Sequence, residues 1–348
     1  MERLVLIDGY SLMHRAFYAI PALSQDGVYT NALFGFFNML LKVIGDAKPD
    51  YLIVTLDAHA PTFRHGQYAE YKAGRKPMPE ELRPQLQMLR DTLDEIGIQK
   101  AELKGWEADD LMGTLSRSAG EMGAESILVT GDRDSFQLIG ERTRVWFTRK
   151  GLSEIEDLTP ETLLQSYGVR PDQVPDLKGL MGDSSDNIPG IPGVGEKTAL
   201  KLLGQYDKLE AVLEHGDEIK GKLGERVRGG AESARMSKKL ATIDRNAPVA
   251  FDRQAAVLPA AERFVLFTDL IRRFCIFCSQ GLHPEIFSLI GFSDPDLSGN
   301  RYMLMAKGKA VIYLGIVGTE PADLPLGRAS ANGTHGTYHG TVLHQTLL

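Results

Sequence analysis

The sequence predicts an α/β protein, a parallel-sheet core followed by a helical region. Three features predict it. Short continuous apolar runs recur at residues 4–7 (LVLI), 51–56 (YLIVTL) and 126–130 (SILVT). Segments with apolar residues at helical spacing lie between them, and beyond about residue 176 the texture turns helix-forming and glycine-punctuated. Continuous apolar strands alternating with helices mark a sheet covered on both faces.

Taken in order, the first run ends at Asp8, and residues 34–43 (FGFFNMLLKV) read as a covering helix. The second run ends at Asp57, followed by a helical pattern at 83–96 (RPQLQMLRDTLDEI). A further helix starts near Glu107 in GWEADDLMG. Its stripe is Ala108, Leu111, Met112 and Leu115, which leaves Glu107, Asp109 and Asp110 off the apolar face. The third run is followed closely by Asp132 and Asp134, and residues 198–236 read as helical with no convincing strand. Past Pro248, residues 264–274 (FVLFTDLIRRF) suit an amphipathic helix, 310–317 (AVIYLGIV) a strand, and the Gly/Thr/Ser/Ala/His-rich stretch 327–340 a flexible tail.

With 43% hydrophobic and 24% charged residues, the 348-residue chain is globular in composition. No apolar run approaches the roughly 18–20 residues of a membrane span. MERLVLIDGY, with an acid near its start and a short apolar run, is unlike a signal peptide, so a cytoplasmic location without membrane association is expected. Cys275 and Cys278 are the only cysteines, a lone CxxC read as packing rather than zinc. A net charge of −7 argues against a nucleic-acid partner. The argument reverses if the acids are gathered to bind cations, which makes a locally positive site. Basic residues cluster at Arg64, Lys72, Arg75, Lys76 and Arg83, and again over 220–245.

Each apolar run leads to a carboxylate: Asp8, Asp57, and Asp132 with Asp134. In open α/β sheets, ligands bind outside the carboxyl ends of the strands. Any one Asp there reads first as a helix cap, and acids in a first helical turn as partners of its dipole. With Glu107, Asp109, Asp110, and Asp183 and Asp186 from GLMGDSSDNIPG, nine acids are available to one crevice. Neighbouring carboxylates raise one another's pKa, so the cluster calls for counter-charge. All-oxygen donors suit Mg²⁺, with Mn²⁺ as substitute, rather than zinc. Two such ions about 3.5–4 Å apart suit phosphodiester hydrolysis, which needs no Ser or Cys nucleophile.

GIPGVGEKTALKLL, from Gly190, superficially resembles a P-loop, but Glu196 separates Gly195 from Lys197 where that motif needs Lys directly after the glycine. What remains is a Pro/Gly hairpin leading into a helix, whose free N–H groups can cradle a phosphate without reading a base.

In order along the chain, LIDGYSLMHRAFYAIP, LDAHAPTFRHGQYAEYKAGRKPMP, GWEADDLMGTL, LVTGDRDSFQL and LKGLMGDSSDNIPGIPGVGEKTA resemble the 5′-nuclease (5′-3′ exonuclease) domain of bacterial DNA polymerase I, in the flap endonuclease family. The likeness covers about residues 1–250. It implies a PIN-like 5′-nuclease core over 1–175 with an arch at about 62–90, a helix-hairpin-helix DNA-binding region over 176–250, and a poorly defined extension over 251–348. It implies that Asp8, Asp57, Glu107, Asp109, Asp110, Asp132, Asp134, Asp183 and Asp186 bind two Mg²⁺ ions. Lys72 and Arg75 would act on the scissile phosphate, and Tyr71 and Arg64 would belong to the arch, the tyrosine stacking on a base. Arg15 and Phe17 would lie near the branch point. Gly190, Gly193, Gly195 and Lys197 would grip duplex backbone, with K⁺ bound at the hairpin. The implied substrate is DNA with 5′ flaps or ends, acted on in replication and repair alongside a DNA polymerase. Two rivals remain: a non-catalytic DNA-binding module that keeps the hairpin and uses the acids structurally, and a PIN-type ribonuclease that needs neither arch nor hairpin.

Overall fold

Strand β1 (Arg3–Asp8) is buried from Leu4 onward, because LVLI presents apolar side chains to both faces of the sheet. Asp8 caps helix α1 (Gly9–Ala19) by accepting from the Ser11 N–H at 2.9 Å. A short hairpin, β2 (Ser24–Gln25) and β3 (Val28–Tyr29), leads into α2 (Asn31–Ala47), longer on both sides than its apolar pattern suggests. Strand β4 (Tyr51–Leu56) is followed by the short α3 (Phe63–Gln67) and by α4 (Leu82–Ile96). Then come β5 (Gln99–Glu102), α5 (Ala108–Glu121), β6 (Glu125–Thr130) and a 3₁₀ turn, Arg133–Leu138. Strands β7 (Thr143–Thr148) and β8 (Ile155–Leu158) and helix α6 (Pro160–Tyr167) complete the sheet region. The helical region is α7 (Val174–Met181), α8 (Glu196–Tyr206), α9 (Leu209–Glu214), α10 (Gly221–Gly229) and α11 (Ala231–Ala241).

This computed structural model describes residues 1–258 apart from 26, 59 and 150–153, together with short paired strands between 301 and 336. The sheet order is β5-β4-β1-β6-β7-β8, parallel throughout except for β8, which runs antiparallel to β7. The three strands that the apolar runs predict, β4, β1 and β6, are therefore direct neighbours at its centre. Sequence reasoning passed over β5 because QKAE carries no apolar run, and it passed over β7 because TRVWFT alternates buried and more exposed residues.

On one face of the sheet, Leu111, Met112 and Leu115 of α5 pack with Leu4, Leu6, Ile53 and Leu128. Burying each such side chain contributes about 1.5–3 kcal/mol. The same apolar cluster continues through Phe136 into Leu177, Leu180, Ile191, Leu202 and Val227 of the helical region. Met1–Ile271 accordingly forms one compact unit.

Arg272–Leu348 is a second unit, whose described parts are short antiparallel pairs. Arg301–Tyr302 pairs with Gly315–Ile316, Met305–Ala306 with Lys309–Ala310, and Ala329–Ala331 with Thr334–Gly336. The helix expected over 264–274 and the cysteines at 275 and 278 lie outside the described residues, as does most of the strand expected over 310–317 and of the tail.

Candidate metal centre

A cleft of about 960 Å³ opens at the carboxyl ends of β4, β1 and β6. Asp8, Asp57, Glu107, Asp109, Asp132, Asp134 and Asp186 line it. The register explains the convergence: Asp8 ends β1 opposite Thr55, Asp57 follows β4 by one residue, and Asp132 follows β6 by two. Helix α5 begins above these strand ends. The Ala108 N–H donates to Asp57 Oδ1 at 2.9 Å, which places the adjacent Asp109 over the strand ends. Thr130 Oγ1 donates to Asp8 Oδ2 at 2.7 Å, and the Ser135 hydroxyl donates to Asp109 Oδ1 at 3.2 Å.

The acids divide by partner. Among the described residues, Asp8, Asp57, Asp109 and Asp132 form no ion pair. Burial first, then the backbone bond and neighbouring acids, set the Asp8 carboxyl, whose pKa is pushed up to about 7. Burial and the Asp132, Asp8 and Asp134 carboxylates push Asp109 well above the usual range, and burial also raises Asp57. Asp134 is pushed up to about 7 by burial and Asp132, against the pull of Lys178 at 2.6 Å.

The remaining acids are clasped. Lys72 Nζ lies 2.8 Å from Glu107, and the Tyr71 hydroxyl donates to the same carboxylate at 3.2 Å. Although burial raises Glu107, Lys72 and Arg64 hold it below its usual value. Arg75 lies 2.5 Å from Asp186. Lys178 also pairs with Asp183, which accepts from the Ser185 N–H at 2.8 Å; against burial, the lysine keeps Asp183 low.

The segment 70–75, between α3 and α4, is folded down onto these acids. The Lys72 N–H donates to the Asp186 carbonyl at 2.9 Å, and Asn187 Nδ2 donates to the Glu70 carbonyl at 2.7 Å. Lys72 and Asn187 are both left-handed, at φ 59° and 56°, a conformation that costs a non-glycine residue energy and persists only where surrounding contacts fix it. Tyr71, Ile188, Leu240 and Ala241 form a small apolar cluster beneath the contact.

The structure corrects several expectations. Asp110 is fully buried and does not line the cleft. Its carboxylate takes a two-pronged pair from Arg64 at 2.8 and 2.8 Å, the Glu107 N–H at 3.1 Å and the Asp244 N–H at 2.9 Å. It therefore caps α5 and ties it to the chain after α11. Arg64, expected to meet DNA, is 3% exposed and spends its remaining donors on the Leu240 and Thr242 carbonyls. Tyr71, expected to stack on a base, is 4% exposed. Phe17 packs edge-on against Tyr18 and does not line the cleft. Arg15 does, donating to the Arg149 carbonyl at 2.5 Å.

In the hairpin, the Gly190 N–H is not free, because it donates to Ser237 Oγ at 2.9 Å. Gly190 has φ 62°, and a Cβ there would come within 2.2 Å of the Gly182 nitrogen, so glycine is a packing requirement at this position. The N–H groups of Gly193, Gly195, Glu196 and Lys197 have no acceptor among the described residues. A Cβ on Gly195 would meet nothing within 4 Å, so this end of α8 is open to a partner's backbone.

Sequence reasoning missed two features. Tyr10, His14 and Tyr18 line the cleft wall one helical turn apart, and their spacing was legible in GYSLMHRAFY. Lys178 carried no signal, being a single lysine in a helical stretch.

As they stand, no group of three His, Cys, Asp or Glu side chains among the described residues is arranged to hold a metal ion. The chemistry of the donors nonetheless fits one. They are hard oxygens, buried and short of positive charge, and cations of the chain itself occupy the acids at the rim.

The model for the 5′-3′ exonuclease N-terminal resolvase-like domain matches residues 3–168, and the model for the 5′-3′ exonuclease C-terminal SAM fold matches residues 169–263. DNA polymerase I of Bacillus subtilis (strain 168) is 50% identical over 250 residues, covering 71% of this chain and 28% of that protein. DNA polymerase I of Geobacillus stearothermophilus is 46% identical over 274 residues, covering 77% and 31%. The chain thus spans less than a third of the length of these curated relatives. T5 5′-exonuclease with bound zinc ions superposes with a TM-score of 0.60 at 18% identity, over 78% of this chain and 99% of that one. The catalytic core of Rad2 in complex with DNA substrate gives 0.52 at 14%, over 82% and 89%. Identities this low show the shared fold, an α/β parallel-sheet core with a helical region after it. With both family domains present in order across residues 3–263, the chain belongs to the 5′-3′ exonuclease family of nucleases.

Proposed function

We propose that the chain is a Mg²⁺-dependent, structure-specific 5′-3′ exonuclease and flap endonuclease that hydrolyses DNA to 5′-phosphate and 3′-hydroxyl ends. The observation that carries this reading is the convergence of Asp8, Asp57, Asp109 and Asp132 in one cleft without a cation of the chain between them, beneath an arch bearing Lys72 and Arg75. Two divalent ions held by such carboxylates supply an activated water and charge for the departing oxygen.

The chain's own residues do the rest. Lys72 and Arg75, now on Glu107 and Asp186, lie at the cleft rim, where they exchange those partners for the scissile phosphate. Arg15 neutralises phosphate on the opposite wall. The open N–H groups of Gly193, Gly195, Glu196 and Lys197 hold duplex backbone without reading sequence. In this reading residues 1–175 are the nuclease core, with the arch at 62–90, and 176–250 the DNA-gripping helix-hairpin-helix region.

A potassium ion at the hairpin belongs to the same proposal, although the Gly190 and Gly193 carbonyls already accept from Ser233 at 2.7 Å and Arg226 at 3.3 Å. So does a role in replication and repair beside a gap-filling polymerase, which the polymerase I relatives support. A cytoplasmic setting also belongs to the proposal; among the described residues no helix is long and apolar enough to cross a membrane.

The test is a 5′-labelled DNA flap and a matched linear strand incubated in Mg²⁺ and in EDTA, with the products sized. Metal-dependent release near the junction is expected. Binding of the flap without cleavage in Mg²⁺ or Mn²⁺ would favour the binding module, and preferential cutting of a matched RNA flap would favour the ribonuclease.

A further inference from the structure

Lys178 sits on α7, and its ammonium lies between two carboxylates from different elements. Asp134, on the 3₁₀ turn after β6, is 2.6 Å away, and Asp183, in the loop after α7, is its second partner. The three side chains are 14–16% exposed, so solvent screens the contact weakly. Of the three, Asp134 lines the cleft, and four of its acidic neighbours there differ: Asp8, Asp57, Asp109 and Asp132 share no ion pair among the described residues. One group of acids is therefore already neutralised in part by the chain, and the other is not.

We propose that Lys178 is a resident counter-cation that holds the place of a divalent ion between Asp134 and Asp183, making the cleft take its two ions unequally. One ion enters readily among the four unpaired carboxylates. A second must displace a buried ammonium from two carboxylates, and it loses the Coulomb gain that the lysine already provides. A DNA phosphate entering the cleft beside Asp134 offers the Lys178 ammonium, 2.6 Å from that carboxylate, another partner, so arrival of substrate favours loading of the second ion. Lys178 is thus a positioning residue that couples ion loading to substrate, and this rests on reading the acids as a metal site.

The test is Mn²⁺ binding to the full chain without DNA, followed through the free-ion paramagnetic resonance signal, for wild type, Lys178→Met, Lys178→Gln and Lys178→Arg. Thermal melts establish that each variant is folded, and the Met and Gln variants back one another. The expected result is one strong and one weak ion for wild type. The weak one should tighten at least about tenfold in the neutral variants, equivalent to about 1.4 kcal/mol, and stay weak in Lys178→Arg. Identical isotherms for wild type and both neutral variants, with ion still bound, would overturn the counter-cation role and leave the metal-site reading intact. No Mn²⁺ bound by any form would overturn both.

Discussion

Two groups of acids lie in and around one cleft and meet opposite fates. Asp8, Asp57 and Asp109, from the central strands and the first turn of α5, lie against one another with hydroxyls and backbone N–H groups for partners. Glu107, Asp110, Asp183 and Asp186 each lie against a lysine or arginine. The difference follows from where the neighbours come from. Strand ends can bring only one another close, whereas the clasped acids are reached by the segment 64–75 and by α7, both of which carry cations. Clasped acids contribute to holding the unit together; unpaired ones oppose it and await charge from outside.

Replacing a clasped acid should therefore damage the fold first. Asp110→Ala takes from the buried Arg64 its two-pronged partner and leaves it Glu107 at 3.6 Å and two carbonyls, a loss of about 3–5 kcal/mol, readable as a lowered urea midpoint with unchanged slope. Loss of cleavage at undiminished stability would break the comparison and return Asp110 to the metal ligands.

Replacing an unpaired acid should do the reverse. Asp109→Asn is expected to lower single-turnover flap cleavage at least about a hundredfold, the scale of one lost electrostatic contact to a transition state, while the melting temperature in EDTA holds or rises. A lower melting temperature in EDTA would mean that Asp109 is structurally paired after all.

The smallest effect sharpens the contrast through pH. Asp8 and Asp134, with pKa values of about 7 in the folded protein against an ordinary 3.8, bind more protons folded than unfolded across that interval. Their contribution to metal-free stability is therefore lost as pH rises from about 4 through 7. Glu107 and Asp183, held low, contribute stability above the usual carboxylate range and lose it as pH falls. The rise in melting temperature produced by Mg²⁺ should consequently widen between about pH 5.5 and 8 as Asp8 and Asp134 ionise. A pH-independent Mg²⁺ effect would place the ion elsewhere.

How much of this was legible depends on distance along the chain. Apolar runs ending in Asp8, Asp57 and near Asp132 are local patterns, and three such runs sufficed to place neighbouring strands and the acids at their ends. The α5 stripe was equally local: Ala108, Leu111, Met112 and Leu115 are all buried. What the spacing could not show is which acid meets which cation. Arg64 and Asp110 are 46 residues apart, and Arg75 and Asp186 are 111 apart, so only the folded chain separates a cap from a ligand. Phe17 and Tyr18 differ by one residue, and helix rotation alone decides which of them reaches the cleft.

The position of β1 in the middle of the sheet has one more consequence. Central strands exchange their amide hydrogens only when a whole unit opens, whereas loops and edges do so by local fluctuation. Asp8 thus hangs from the part of the molecule that gives way last, and the charge the fold tolerates least is stored where the backbone is held most firmly. An ion held there, as proposed, would act on global unfolding, and its protection should extend to amides far from the cleft.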